Sequence, residues 1–315
     1  MKRALFFSLL TFAATAVSAL TLPAPDRPGD SIIGDPPYQA KYVAAKYEDT
    51  LIDIAVEHHL GQDEIVLANP TVDRWLPGAG TPVRIPSSFI LPNAPRQGIV
   101  VNLPEMRIYY YPNASTVVTY AVGIGRENNW KTPIGRTQIA GKMENPSWTP
   151  PPSIIAEHLA EGDVLEPYYP PGPDNPLGLF AFRLGIPGYL IHSTQKTNGI
   201  GMRVSHGCMR MYPMDIEQFF PTVKVGTTVN IVNQAIKVGW HHGTLYMEVY
   251  PELEETPATF EQRINRALDL IQQANGGQMP VIKGSILKMA LEKPTGLPIA
   301  IYERPAQSAA QTEQH

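Results

Sequence analysis

Cysteine is almost missing: Cys208 stands alone in 315 residues. No disulfide can form within the chain, and a core of this size needs none. Charge is also scarce. Only 17% of residues are Asp, Glu, Lys or Arg, below the usual quarter or so. The formal net charge of −4 offers no basic face of the kind nucleic acid requires, which excludes a nucleic-acid binder. Long-period repeats are absent, and a single apolar run, near the start, approaches the length of a membrane span. Proline is in surplus, with 32 residues, roughly twice ordinary usage. That surplus excludes a helical bundle or coiled coil as the main architecture and suits strands and loops.

The apolar run fills 4–19 behind Lys2 and Arg3 and ends on Val17-Ser18-Ala19, small residues of the kind a signal peptidase accepts. The expectation is a signal peptide over 1–19, removed on export. The competing reading is an uncleaved anchor, since the run continues to Leu22 and a span needs about 20 residues. After cleavage no membrane span remains, which places the protein in the periplasm. Export makes the lone thiol conspicuous. In an oxidising compartment cysteines usually pair, so an unpaired one is a hazard, an intermolecular link or a reactive group.

Residues 20–41 are rich in Pro, Gly and Asp and read as a linker or extended arm. Over 42–86 the pattern changes. Asp49-Thr50 starts a helix with Leu51, Ile54, Ala55 and His58 on one face. A second short helix fits Gln62 to Ala68, stopped by Asn69-Pro70. Pro77-Gly78 turns into a strand at Val83-Arg84-Ile85-Pro86. Residues 97–235 are β-rich, with strands expected near 98–102, 106–111, 117–124, 132–137, 189–192 and 227–232. Inside this region, 146–176 holds nine prolines, a connection long enough to be a functional loop or lid. Residues 236–304 form a C-terminal subdomain with an amphipathic helix at 259–274. Residues 305–315 are polar and read as a disordered tail. The fold class is α+β and mainly β: a β-rich domain, a small βααβ unit in front and a helical extension behind.

The chemistry is concentrated in Tyr189-Leu190-Ile191-His192-Ser193-Thr194 and Arg203-Val204-Ser205-His206-Gly207-Cys208-Met209-Arg210. A thiol is mostly protonated at neutral pH, and the thiolate is the nucleophile. A neighbouring histidine can take the proton and remain as imidazolium beside it. His192, at a strand end, is in reach of Cys208. His206 shares the face of Cys208 if the segment is extended. Ser193, Ser205 or a backbone carbonyl can fix the imidazole tautomer. Gly207 lets the chain turn sharply, aiming the amides around Gly207 and Cys208 at a developing oxyanion. Arg203 and Arg210 can stabilise a thiolate or bind a substrate carboxylate, and Tyr189 and Ser205 stand beside them as substrate contacts. Zinc is the competing chemistry, because His192, His206 and Cys208 are all zinc-ligand types. No fourth ligand stands at a recognised spacing, however, and His241-His242 is only an adjacent pair. No metal or other cofactor is expected.

Two resemblances follow from these residues. Residues 42–86 resemble a LysM domain through Asp49-Thr50-Leu51, Ile54-Ala55, Leu67-Ala68-Asn69-Pro70, Pro77-Gly78 and Val83-Arg84-Ile85-Pro86, which implies binding to glycans such as peptidoglycan. His192 with Ser205-His206-Gly207-Cys208-Met209-Arg210, together with Thr132-Pro133-Ile134-Gly135 and Asn175-Pro176-Leu177-Gly178, resembles the signature of YkuD-type L,D-transpeptidases. The order of units is similar to exported enterobacterial members. The family implies Cys208 as nucleophile, His192 as base, His206 in support, and tetrapeptide stems of peptidoglycan as substrate. The acceptor is another stem or an outer-membrane lipoprotein. Two other readings stand against this: a non-catalytic peptidoglycan-binding protein and a zinc-dependent hydrolase.

Overall fold

The computed structural model of the protein describes residues 20–305, so the expected leader over 1–19 and nearly all of the expected tail lie outside the described residues. A mixed ten-stranded sheet dominates. Thr116–Gly125 pairs with Met209–Met211, which runs parallel to Leu190–Ser193; then follow Phe180–Leu184, Gly135–Glu144, Thr228–Val232, Gly98–Asn102 and Arg107–Asn113. Arg107–Asn113 pairs in turn with Thr116–Gly125, so the order closes on itself as a barrel-like ring. Period-two alternation fills its interior. Ile99 and Val101, Tyr120 and Val122, Phe182 and Leu184, and Met209 and Met211 all belong to one buried cluster. The short helix Pro213–Phe219 adds Ile216 and Phe219 to the same cluster.

The βααβ pattern forms as expected. Lys41–Ala44 pairs antiparallel with Pro82–Ile85 around the helices Leu51–Glu57 and Gln62–Ala68. Thr50 caps the first helix, accepting from the Asp53 amide while Asp53 reaches back to the Thr50 amide. Leu51, Ile54, Ile65 and Val83 make a small separate core. Residues 20–41 are not a loose linker. Leu20–Pro23 adds a strand beside Thr116–Gly125, and Ile32–Gly34 pairs with Ser88–Ile90. Composition concealed these strands because the ladder hydrogen bonds come from distant partners rather than from local propensity.

The C-terminal region departs from a purely helical extension. Ile236–His241, Thr244–Val249 and Ile299–Glu303 make an antiparallel sheet covered by the helices Phe260–Ala274 and Gly284–Glu292. The first two strands are joined through His242-Gly243, both with positive φ (49° and 87°), a two-residue turn whose twist suits a hairpin. Lys237 ties this sheet to the ring: its ammonium donates to Glu105 at 2.8 Å and to the Ile90 carbonyl at 2.6 Å, all buried.

Candidate active site

Register places the candidate residues. Ile191 lies opposite Met209 and His192 opposite Arg210 on neighbouring parallel strands. Ile191, Met209 and Met211 point into the ring. Alternation therefore sends His192 and Arg210 outward, with Cys208 one step before Met209 on the same outer face. The turn ahead of Cys208 is narrowly specified. Gly207 has φ +100°, and a Cβ there would meet Tyr189 Cε1 at 2.7 Å, so glycine is required. Ser205 Oγ accepts from the Gly207 amide at 3.1 Å and donates to the Cys208 carbonyl at 2.5 Å. Thr132 Oγ1 donates to the Gly207 carbonyl at 2.9 Å and accepts from the Gly125 amide at 3.0 Å. Ser205 is buried and shapes this turn, whereas the sequence placed it against substrate. Tyr189 packs on Gly207.

Burial sets the electrostatics. It pushes the Cys208 thiol up, against the opposing pull of a Leu190 backbone hydrogen bond and the Arg210 charge. The thiol lies 3.7 Å from the Gly188 carbonyl. Burial first, then Arg210, lowers the His192 imidazole to about 4. At neutral pH thiol and imidazole are therefore both uncharged at rest, in place of the expected thiolate–imidazolium pair, because neither charge is well solvated there. His192 Nδ1 donates to the Ser193 carbonyl at 2.6 Å, which leaves Nε2 as the basic nitrogen. Ser193 thus contributes its backbone rather than its hydroxyl.

His206 is turned elsewhere. Its Nε2 bonds Glu157 at 2.9 Å, and the edge of the ring meets Trp130 with centroids 4.6 Å apart. Glu157 also accepts from Arg126 at 2.5 Å. It sits on the helix Pro152–Ala160, within the proline-rich connection, so that connection does lie against the site. Asn175 ties the two ends of the connection together, donating to the carbonyls of Pro146, Tyr169 and Pro170 at 2.8, 3.2 and 3.1 Å. Between the helix and the ring strands lies a cleft of about 420 Å³, lined by Arg126, Glu157, Lys196, His206 and Arg210 among others. Arg203 is not brought to this cleft. Its guanidinium bonds Glu255 at 2.7 Å and lines a different one.

His192, Ser193 and Arg210 thus sit on neighbouring strands with Tyr189, Gly207 and Cys208 at their start; of the candidates only His206 and Arg210 line the cleft, and Arg203 pairs with Glu255. Among the described residues, the group of side chains whose ligand atoms lie close enough to share an ion does not include His192, His206 or Cys208. Sequence reasoning missed the roles of Thr132 and Asn175, although both lie in motifs it singled out. Arg126 and Glu157 carried no local signal.

Residues 96–231 match the family described as the L,D-transpeptidase catalytic domain, YkuD. The chain is 37% identical over 300 residues to the Escherichia coli K12 protein named "Probable L,D-transpeptidase YbiS", covering 94% of this chain and 96% of that one. It is 36% identical over 308 residues to the protein named "Probable L,D-transpeptidase ErfK/SrfK" of the same strain, covering 94% of each. The solved catalytic domain of an E. faecium L,D-transpeptidase aligns over 45% of this chain and all of that one, at 20% identity and a TM-score of 0.34.

Proposed function

Because the chain belongs to the YkuD family of L,D-transpeptidases, we propose that it is a periplasmic acyltransferase that transfers peptidoglycan tetrapeptide stems through a thioester on Cys208. The observation that supports this reading is the pairing of His192 with Arg210 on two parallel strands, with Cys208 in the turn just before the second strand. His192 Nε2 takes the thiol proton as sulfur attacks the carbonyl of the third stem residue. The tetrahedral oxyanion faces the Cys208 amide, since the Gly207 amide is committed to Ser205 Oγ. His192 returns the proton to the departing D-alanine amine, which leaves the acyl group on sulfur. An acceptor amine, from a second stem or a lipoprotein lysine, then displaces the thiol. His206, held by Glu157, supports the cleft wall. Arg210 binds the carboxylate of the terminal D-alanine, a role Arg203 cannot share while it pairs with Glu255.

Incubation with tetrapeptide and pentapeptide stems, read by intact-protein mass, tests this. An adduct should form on Cys208 with tetrapeptide and little or none with pentapeptide, whose carboxylate lies one residue farther from Arg210. Cys208→Ala should form no adduct and keep its fold. Turnover by that variant would sink the assignment, and acylation by pentapeptide alone would sink the L,D specificity. The βααβ unit over 42–86 is the proposed LysM-like glycan-binding module, supported by its strand and helix order. Co-sedimentation with insoluble peptidoglycan, weakened by substitutions on its exposed face, is the corresponding measurement.

A further inference from the structure

The hairpin turn carrying His241-His242 meets the N-terminal arm. Asp30 is 212 residues from His242 in sequence, yet its Oδ2 accepts from the His242 amide at 3.0 Å. The arm is fixed here by a parallel bridge between Asp30 and Trp240 and by the Ser31 amide, which donates to the Trp240 carbonyl at 3.0 Å. The Asp30 carboxylate is thus buried, at 7% exposure, with its position set by backbone. The two imidazoles stack, with centroids 4.1 Å apart and planes within 10°. One ligand atom from each of Asp30, His241 and His242 falls in a group whose members all lie within 4.8 Å of one another. His241 Nε2 is buried and has no hydrogen-bond partner among the described residues. Asp26, with its Oδ1 3.5 Å from His242 Nε2, brings a second carboxylate to the rim.

We propose that Asp30, His241 and His242 form a binding site for a borderline divalent cation of the zinc class. Two imidazoles and a carboxylate, with Asp26 nearby, match the nitrogen and oxygen ligands such an ion prefers. A buried imidazole nitrogen without a partner costs free energy that a metal bond would remove. The ion would join the arm to the C-terminal hairpin and so lock the strand that augments the main sheet. Nothing in acyl transfer depends on it.

Zinc titration of the mature full chain by calorimetry tests the site. The Cys208→Ala form is run in parallel, because a thiol also binds zinc. One saturable site should appear in both. It should vanish in His242→Asn, which keeps a residue tolerant of positive φ at the turn. It should vanish too in Asp30→Asn, which retains an oxygen for the His242 amide. A metal-free Tm equal to that of the parent establishes that each variant is folded. Zinc should raise Tm in the parents and leave it unmoved in the variants. Bound Co²⁺ should show d–d bands without a sulfur charge-transfer band. Lack of saturable binding, binding that survives both substitutions, or binding that disappears with Cys208 would overturn the proposal.

Discussion

The His192 imidazole is held at about 4 and the Cys208 thiol above its ordinary 9.0, so between those limits the pair rests uncharged. Alkylation of Cys208 by iodoacetamide should accordingly be slow at pH 7 and keep rising past pH 9. A rate already at its plateau at neutral pH would mean that the ion pair is present at rest. Acylation needs neutral His192 and should fall as pH drops through about 4, with no loss near 6.5. His192→Gln should cost acylation about 10²–10⁴-fold. The same group links to stability. Its unfolded form binds a proton near 6.5 and its folded form only near 4. Between those values the unfolded state holds more protons, so stability falls as pH falls. Denaturant midpoints measured across that window should therefore lose less, or gain more, toward acid in His192→Gln than in the parent.

Between Ser205 and Met211 a short turn does the positioning, and it depends on a hydroxyl from another segment. Thr132→Val removes the donor to the Gly207 carbonyl and the acceptor for the Gly125 amide. The expected cost is about 1–3 kcal/mol in unfolding free energy, with a larger effect on kcat than on KM, because the turn aims the nucleophile. Equal Tm and kcat for the variant would show that the turn holds itself. The helix Pro152–Ala160 is fastened to the site mainly through Glu157, which bridges Arg126 and His206. That carboxylate meets Arg126 in the cleft that is proposed to receive the stem carboxylate. Glu157→Gln should weaken both bonds and loosen the helix. Faster chymotryptic cleavage within 146–176, at sites such as Trp148 and Tyr168, together with altered KM for tetrapeptide, is the expected result; unchanged proteolysis would mean that Asn175 and the prolines alone hold the connection.

The whole molecule behaves as one body rather than as modules on a string. His59 pairs with Asp215 at 2.5 Å, both buried. Glu64 pairs with Arg107, whose side chain has no exposed surface. The Tyr212 hydroxyl donates to the Leu60 carbonyl at 2.9 Å, and the Gln62 and Asp63 amides donate to Ile200 and Gly201 at 3.0 and 3.2 Å. Deleting 42–86 would uncover Arg107 and Asp215 without their partners. The deletion should therefore lower the Tm of the remainder sharply or prevent folding, which is why point substitutions suit the glycan-binding test. Arg107→Met alone should cost about 3–5 kcal/mol by stranding Glu64, and Glu64→Met with Arg107→Met should recover most of it. Additive losses in that cycle would mean that the two groups do not act as a pair. Among the described residues no helix is long and apolar enough to cross a membrane.

What the sequence determined alone was local or periodic. The helices over 51–57 and 62–68 announce themselves through Thr50, Asn69 and apolar spacing, and most strands of the ring through alternation, whereas Phe180–Leu184 and Met209–Met211 carried no such mark and the strand expected at 132–137 runs over Gly135–Glu144. Cys208 stood out because it was alone, and His192 because of the motif around it. The hairpin at 236–249 is also encoded locally, in alternating residues around the positive-φ pair His242-Gly243. Tertiary structure decided what depends on partners far along the chain. Residues 20–34 became strands because edges of distant strands offered hydrogen bonds. Arg203 and Arg210 are seven residues apart by number and alike in chemistry, yet one faces Glu255 and the other the cleft. The charge state of the Cys208–His192 pair follows from desolvation, which no run of neighbours encodes, because burial is a property of everything that packs around a group.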